Sequence, residues 1–143
     1  MGGIFLTTDN NSIEKAISVY SEIGLNEYSK FDLGRYSLLY FPKLTDGRST
    51  IKNSFFRHNN DLIIGVGFFI FKNKLGNDAL RLIYESLKTL PSELVFSNIK
   101  GHFSFVTCIN GEINVISDKS GMYKLYKANE RENLYIYQLC FWQ

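Results

Sequence analysis

The amino-acid sequence predicts an α+β fold in which antiparallel sheets are flanked by helices, and three observations carry that prediction. Aromatic residues make up 15% of the chain, Phe and Tyr far ahead of Trp, and together with the Ile and Val residues, mostly Ile, they favour a sheet-rich core. Two stretches space their apolar residues at helical intervals, and each is flanked by runs that read as strands. The second half then carries a strong hairpin signal, Asn110-Gly111, followed by two more strand-like runs. The order of strand, helix, several strands, helix and a four-strand antiparallel run fits two sheets with helices on them better than a doubly wound parallel sheet.

Each element has a local reason. Gly3 to Thr8 is a short apolar run at the start of the chain, which places the N-terminus itself in a sheet. Asn11 with Glu14 resembles a capping box, and Ile13, Ala16, Ile17 and Tyr20 continue at helical spacing until Gly24, giving a helix over about 12–23. Arg35 to Phe41 reads as a strand ended by Pro42, and Thr45 to Thr50 as a loop. Leu62 to Phe71 is apolar without alternation, as in a central strand covered on both faces, and Gly65 and Gly67 point to a bulge or a close backbone approach. Asn77 is a candidate cap for a second helix, about 78–89, whose Ala79, Leu80, Ile83, Leu87 and Leu90 form one stripe before Pro91. Phe103 to Ile109 and Glu112 to Ser117 flank the Asn110-Gly111 turn, and Met122 to Ala128 and Leu134 to Cys140 complete the strands.

Composition narrows function. A chain of 143 residues with no repeat or linker reads as one domain, 1–143, and 16 Lys+Arg against 14 Asp+Glu, scattered singly, make too weak a field to call for nucleic acid. Lys100, Lys119, Lys124 and Lys127 are expected in solvent with the neighbouring rings turned inward. Two cysteines, Cys108 and Cys140, do not make a disulfide framework and are expected as buried thiols. The longest apolar stretch is far below the roughly twenty residues that span a bilayer, so a soluble, cytoplasmic protein with no membrane partner is expected. His58 and His102 stand 44 positions apart with no ligand partner at metal spacing, and the glycines form no phosphate-cradling loop. No metal and no cofactor are expected. Met1-Gly2 lacks the hydroxyl residue that myristoylation wants, since that position is Leu6.

Three stretches together resemble one family. Ile99-Lys100-Gly101-His102-Phe103-Ser104-Phe105-Val106, then the hairpin, then Ser117-Asp118-Lys119-Ser120-Gly121-Met122-Tyr123-Lys124-Leu125-Tyr126 is similar to a block of class II glutamine amidotransferase domains, above all those of asparagine synthetases. That block reads roughly "L-x-G-x-F-A-F" and then "R-D-x-x-G-x-x-P-L-Y". Asn77 to Leu87 resembles the family's "S-D-x-E-V-I-L" helix, and Met1-Gly2-Gly3-Ile4-Phe5 its "M-C-G-I" start. The resemblance covers about two thirds of the chain. It implies an N-terminal-nucleophile hydrolase fold, a four-layer αββα sandwich whose free N-terminus ends a central strand.

In active members the second residue is Cys, whose thiolate attacks the side-chain amide of glutamine while the α-amine carries the proton. Here that position is Gly2, which has nothing to attack with. Thr7 and Thr8 are no substitute, because a nucleophile activated by its own amine must head the chain. The family's oxyanion pair, the Asn-Gly of "N-G-E-I-Y-N", aligns with Val66-Gly67, so the backbone donor remains and the side-chain donor is lost. The apolar run through Phe71 implies that this pocket has become core. Arg35 resembles the Arg of "R-L-S-I" that binds the substrate carboxylate, and Asp78 the acid that receives the α-amine. With the nucleophile absent, an exposed strand-end Arg35 and an Asp78 complementing a helix dipole are the simpler explanations.

The expectation is therefore a catalytically silent glutaminase-type domain that supports an asparagine-synthetase-like ATP-pyrophosphatase module, on the same chain or as a separate subunit. Gly101, Phe103, Asp118, Gly121 and Tyr126 are its retained framework, and the apolar end from Leu139 through Trp142 reads as part of a longer protein. Three alternatives stand beside it. One is an active amidohydrolase of the same fold, another a chain in which Cys at position 2 was replaced by Gly. The third is a freestanding binding or assembly protein, for instance a homodimer burying Phe141 and Trp142.

Overall fold

The computed structural model describes residues 2–42 and 55–139, so the expected loop at 45–50 and the chain end from residue 140 lie outside the described residues. In chain order the elements are β1 (Gly3–Thr7), α1 (Ile13–Glu22), β2 (Ser29–Leu33), β3 (Tyr36–Phe41), β4 (Phe55–His58), β5 (Asp61–Phe71), β6 (Lys74–Leu75), α2 (Gly76–Leu87), α3 (Ser92–Ser97), β7 (Lys100–Ile109), β8 (Glu112–Ser117), β9 (Tyr126–Glu130) and β10 (Asn133–Leu139). The fold is mixed α+β with two antiparallel sheets. Residues 2–42 with 124–139 form one compact unit and residues 55–123 a second. No helix is long and apolar enough to cross a membrane.

In the first unit the strands run β2-β3-β1-β10-β9, so the N-terminal run lies in a sheet, as its apolar sequence predicted, and is the middle strand of it. Phe5, Leu39 and Phe41 on one face pack against Ile13, Ala16 and Tyr20 of α1, while Ile4, Leu6, Leu38 and Tyr40, with opposite parity, are also buried. The Tyr20 ring stacks on Phe41 at 4.1 Å, and its hydroxyl reaches the carbonyls of Ile4 at 2.7 Å and Gln138 at 2.8 Å. Burial pushes this hydroxyl well above the ordinary phenol range. Gly3 makes the seat possible, because a Cβ there would lie 2.6 Å from the ring. The expected Asn11–Glu14 box does not form. The chain enters α1 through a tight turn at Asn10–Ser12, which moves the cap back to Asp9; its carboxylate accepts the Asn11 N–H at 3.0 Å.

The second unit orders its strands β4-β5-β7-β8, with β6 on β5. Ala79, Leu80 and Ile83 of α2 and Val95 of α3 pack with Ile63, Phe69, Phe71, Phe103 and Phe105. Asn77 is not the cap: α2 begins at Gly76, after an extended Leu75 that gives no side-chain hydrogen bond. Leu87 lies at the margin of the core and Leu90, past the helix end, is exposed. Pro91, read as a terminator, also leads into α3, which the sequence did not announce. The Tyr84 hydroxyl donates to Asp61 at 2.7 Å, and the other Asp61 oxygen accepts the Asn110 N–H at 2.9 Å, tying α2 and the β7–β8 turn to the start of β5. These bonds hold the Asp61 carboxyl below its usual range and raise Tyr84 to about 12. Cys108 is a buried free thiol, pushed up by its burial.

The predicted four-strand run is divided. β7 and β8 stay with β5, whereas β9 and β10 join β1. The reason lies after Ser117. The Asp118 N–H bonds to the Phe103 carbonyl at 2.9 Å, the Gly121 N–H closes on the Asp118 carbonyl at 3.1 Å, and Gly121 holds φ at +63°. That turn ends pairing, so Met122 to Leu125 is not strand and β9 begins only at Tyr126. The four lysines Lys100, Lys119, Lys124 and Lys127 are exposed, but the Tyr126 ring is exposed with them, stacked on Tyr137 at 5.4 Å.

The expected close approach in β5 is present and reciprocal. Gly67 pairs with Phe103 and Phe69 with Gly101, with Phe68 facing His102 between them. A Cβ on Gly67 would lie 2.2 Å from the His102 carbonyl oxygen, and one on Gly101 2.1 Å from that of Phe68; both glycines hold positive φ, +104° and +123°. Gly101→Ala is expected to cost at least ~2 kcal/mol, combining that collision with a backbone region essentially reserved for glycine. Gly111→Ala, at φ +77° with open space around it, is expected to cost only about 1 kcal/mol. Denaturant midpoints of the two variants check the difference; equal losses would mean that backbone conformation alone matters.

Candidate functional site

The residues singled out by sequence fall in both units. Gly2 is buried and directly precedes β1. β1 pairs antiparallel with β3, Gly3 opposite Phe41 and Thr7 opposite Ser37, so Gly2 lies at one end of this pair and Arg35 at the other. The five extended residues of β1 all lie between them, which sets them at least roughly 17 Å apart. Arg35 is exposed in the two-residue turn between β2 and β3, where Gly34 supplies φ of +68°. The first unit therefore does not bring Arg35 to Gly2. Thr7 and Thr8 are engaged at the strand end: Thr7 Oγ accepts the Asp9 N–H at 2.9 Å, and Thr8 Oγ the Leu134 N–H at 2.9 Å.

In the second unit Val66 and Gly67 are neighbours on β5 with different surroundings. Val66 is buried, with no polar group on its side chain, whereas Gly67 is exposed and Phe68 is 50% exposed. The expectation that this whole run is core is thus corrected: Leu62 to Val66, Phe69 and Phe71 are buried, but the reciprocal glycine approach opens the surface at Gly67 and Phe68. The Tyr123 ring lies over Gly67, 3.0 Å from where a Cβ would stand. Tyr123 is held there by the Ser104 hydroxyl, which donates to its carbonyl at 3.3 Å. Asp78 is exposed in the first turn of α2, where a carboxylate complements the helix dipole.

One cluster was not assembled from the sequence. His102 Nδ1 lies 3.2 Å from Asp118 Oδ2 and 3.0 Å from Ser120 Oγ, and the Ser120 hydroxyl also bonds to Asp118 Oδ2. Burial alone would raise the Asp118 carboxyl, but the bonds from Ser120, His102 and the Tyr123 N–H outweigh it and hold the group below its ordinary value. A signal for the cluster was available. The two-residue turn at Asn110-Gly111 sets Ser104 opposite Ser117, so two positions further along His102 faces the residues just past Ser117. His58 lies elsewhere, its ring 5.8 Å from that of Tyr84. Among the described residues no group of three or more His, Cys, Asp or Glu side chains gathers as a metal site.

The sign of the Asp118 effect follows from linkage. A carboxyl depressed in the folded state contributes stability that is fully present above its unfolded value, about 3.8, and is lost as the pH falls toward the folded value. Asp118→Asn is expected to be less stable than wild type at neutral pH and to show a shallower loss of stability below about pH 4. Thermal melts across that range check it; parallel curves for the two proteins would remove Asp118 from the acid transition. Comparison of the chain with family models, with curated proteins and with solved structures finds no match.

Proposed function

We propose that this chain is a catalytically silent glutaminase-type domain of the N-terminal-nucleophile hydrolase class, an αββα architecture, whose role is to support an asparagine-synthetase-like ATP-pyrophosphatase module. The observation that carries the reading is Gly2: the position before the central strand, where the resemblance calls for Cys, has no side chain. Removing a nucleophile of this kind costs about a millionfold in turnover. A further feature points the same way. Val66 offers no hydrogen bond to a developing oxyanion, so of the donor pair in the resemblance only the Gly67 N–H remains.

The framework supports kinship of scaffold rather than of chemistry. Gly101 occupies a backbone conformation reserved for glycine, Phe103 is in the core, Asp118 is buried and bonded, and Gly121 turns the chain. Each meets a packing or backbone demand that exists with or without a substrate.

The test is incubation of the purified chain with glutamine, followed by assay for glutamate. No release above the rate in buffer is expected for wild type or for Gly2→Cys, because restoring sulfur leaves Val66 where the side-chain oxyanion donor is needed. Turnover by wild type would overturn the silent reading. Turnover gained by Gly2→Cys alone would show an intact pocket from which only the nucleophile was missing.

A further inference from the structure

A groove beside α3 takes no part in the reading above, using neither Gly2 nor Gly67. It encloses about 510 Å³ within the second unit, with Phe96, Ile99, Phe103 and Ile116 as its apolar walls and His102 and Lys119 on its rim. An apolar concavity with a few convergent polar groups is the usual form of a small-molecule site.

The hydrogen bonds on the rim decide what His102 presents to that groove. Ser120 has one hydroxyl proton, which it donates to Asp118, so toward His102 Nδ1 it acts only as an acceptor. Asp118 Oδ2, the other neighbour of Nδ1, is an acceptor as well. Nδ1 therefore carries the hydrogen, and in the neutral ring Nε2 is a bare acceptor. The His102 side chain is 53% exposed and that of Asp118 only 3%, so the orienting acid is sheltered while the ring remains within reach.

We propose that this groove binds a small phenol, whose hydroxyl donates to His102 Nε2 while its ring lies against Phe96, Ile99 and Ile116. The bare nitrogen selects a donor, and the apolar walls select an aromatic body. Lys119 and Glu93 line the same groove with opposite charges, so the site favours the neutral, proton-bearing phenol over its anion. Asp118 and Ser120 act as positioning residues through the imidazole.

The experiment titrates para-cresol into the full chain by calorimetry, with para-methylanisole, which lacks the proton, as the second arm. Saturable binding of the phenol is expected, with the ether binding more weakly and His102→Gln reducing phenol affinity roughly tenfold or more. Equal binding by wild type and His102→Gln, or equal binding of phenol and ether, overturns the proposal. Long-range proton–nitrogen NMR on the wild-type chain reads the tautomer without any variant: a proton on Nδ1 is expected, and a neutral ring protonated on Nε2 overturns the assignment.

Discussion

The second unit depends on two carbonyl oxygens that come too close for any side chain. Between β5 and β7, Gly67 stands against the His102 carbonyl and Gly101 against that of Phe68, in a nearly symmetric exchange about the Phe68–His102 pair. Neither position tolerates a Cβ, and both backbones sit at positive φ. Phe69, Phe71, Phe103 and Phe105 nonetheless remain in the core beneath α2 and α3. Phe68 and His102 are left at the surface, so a constraint on two backbone atoms decides which groups are available for binding.

The turn from Asp118 to Gly121 extends that constraint. Its backbone bond to Phe103 fixes it beside the glycine pair, and its side-chain bonds recruit His102 and Ser120. A carboxylate as sheltered as Asp118 is costly to desolvate, and the charge-assisted bonds it accepts offset that cost. The same turn lays the Tyr123 ring over Gly67 and ends the strand pairing of the second unit. Asp118 thus connects the end of a sheet, the ring beside an exposed glycine and the orientation of a histidine.

How much of this was legible depended on whether a feature was local. The strand at the N-terminus, both long helices and the Asn110-Gly111 hairpin were readable because periodicity and turn chemistry are carried by neighbouring residues. β2 was missed because Ser29-Lys30-Phe31-Asp32-Leu33 has a single deeply buried residue, as befits an edge strand, and its apolar signal is correspondingly weak. β4 is likewise an edge, with Arg57 and His58 exposed. The division of the last four strands between sheets was hidden because strand-forming residues in Met122 to Leu125 compete with a turn fixed by contacts to Phe103. At the candidate site, the distance of Arg35 from Gly2 depends on the pairing of β1 with β3, which no local pattern encodes, whereas the His102–Asp118 approach was implicit in the hairpin register.

Scaffold and chemistry make different demands on a chain, and Gly101 and Asp118 answer to the first. Replacing Gly101 brings a side chain against a carbonyl, and replacing Asp118 breaks bonds made in a sheltered place, so these residues answer to the fold itself. The residue before β1 carries no such demand from the pairing of β1 with β3 and β10, which begins at Gly3 and uses backbone groups. Gly2 therefore leaves that pairing intact, and the first unit holds a central N-terminal strand with Tyr20 seated over Gly3.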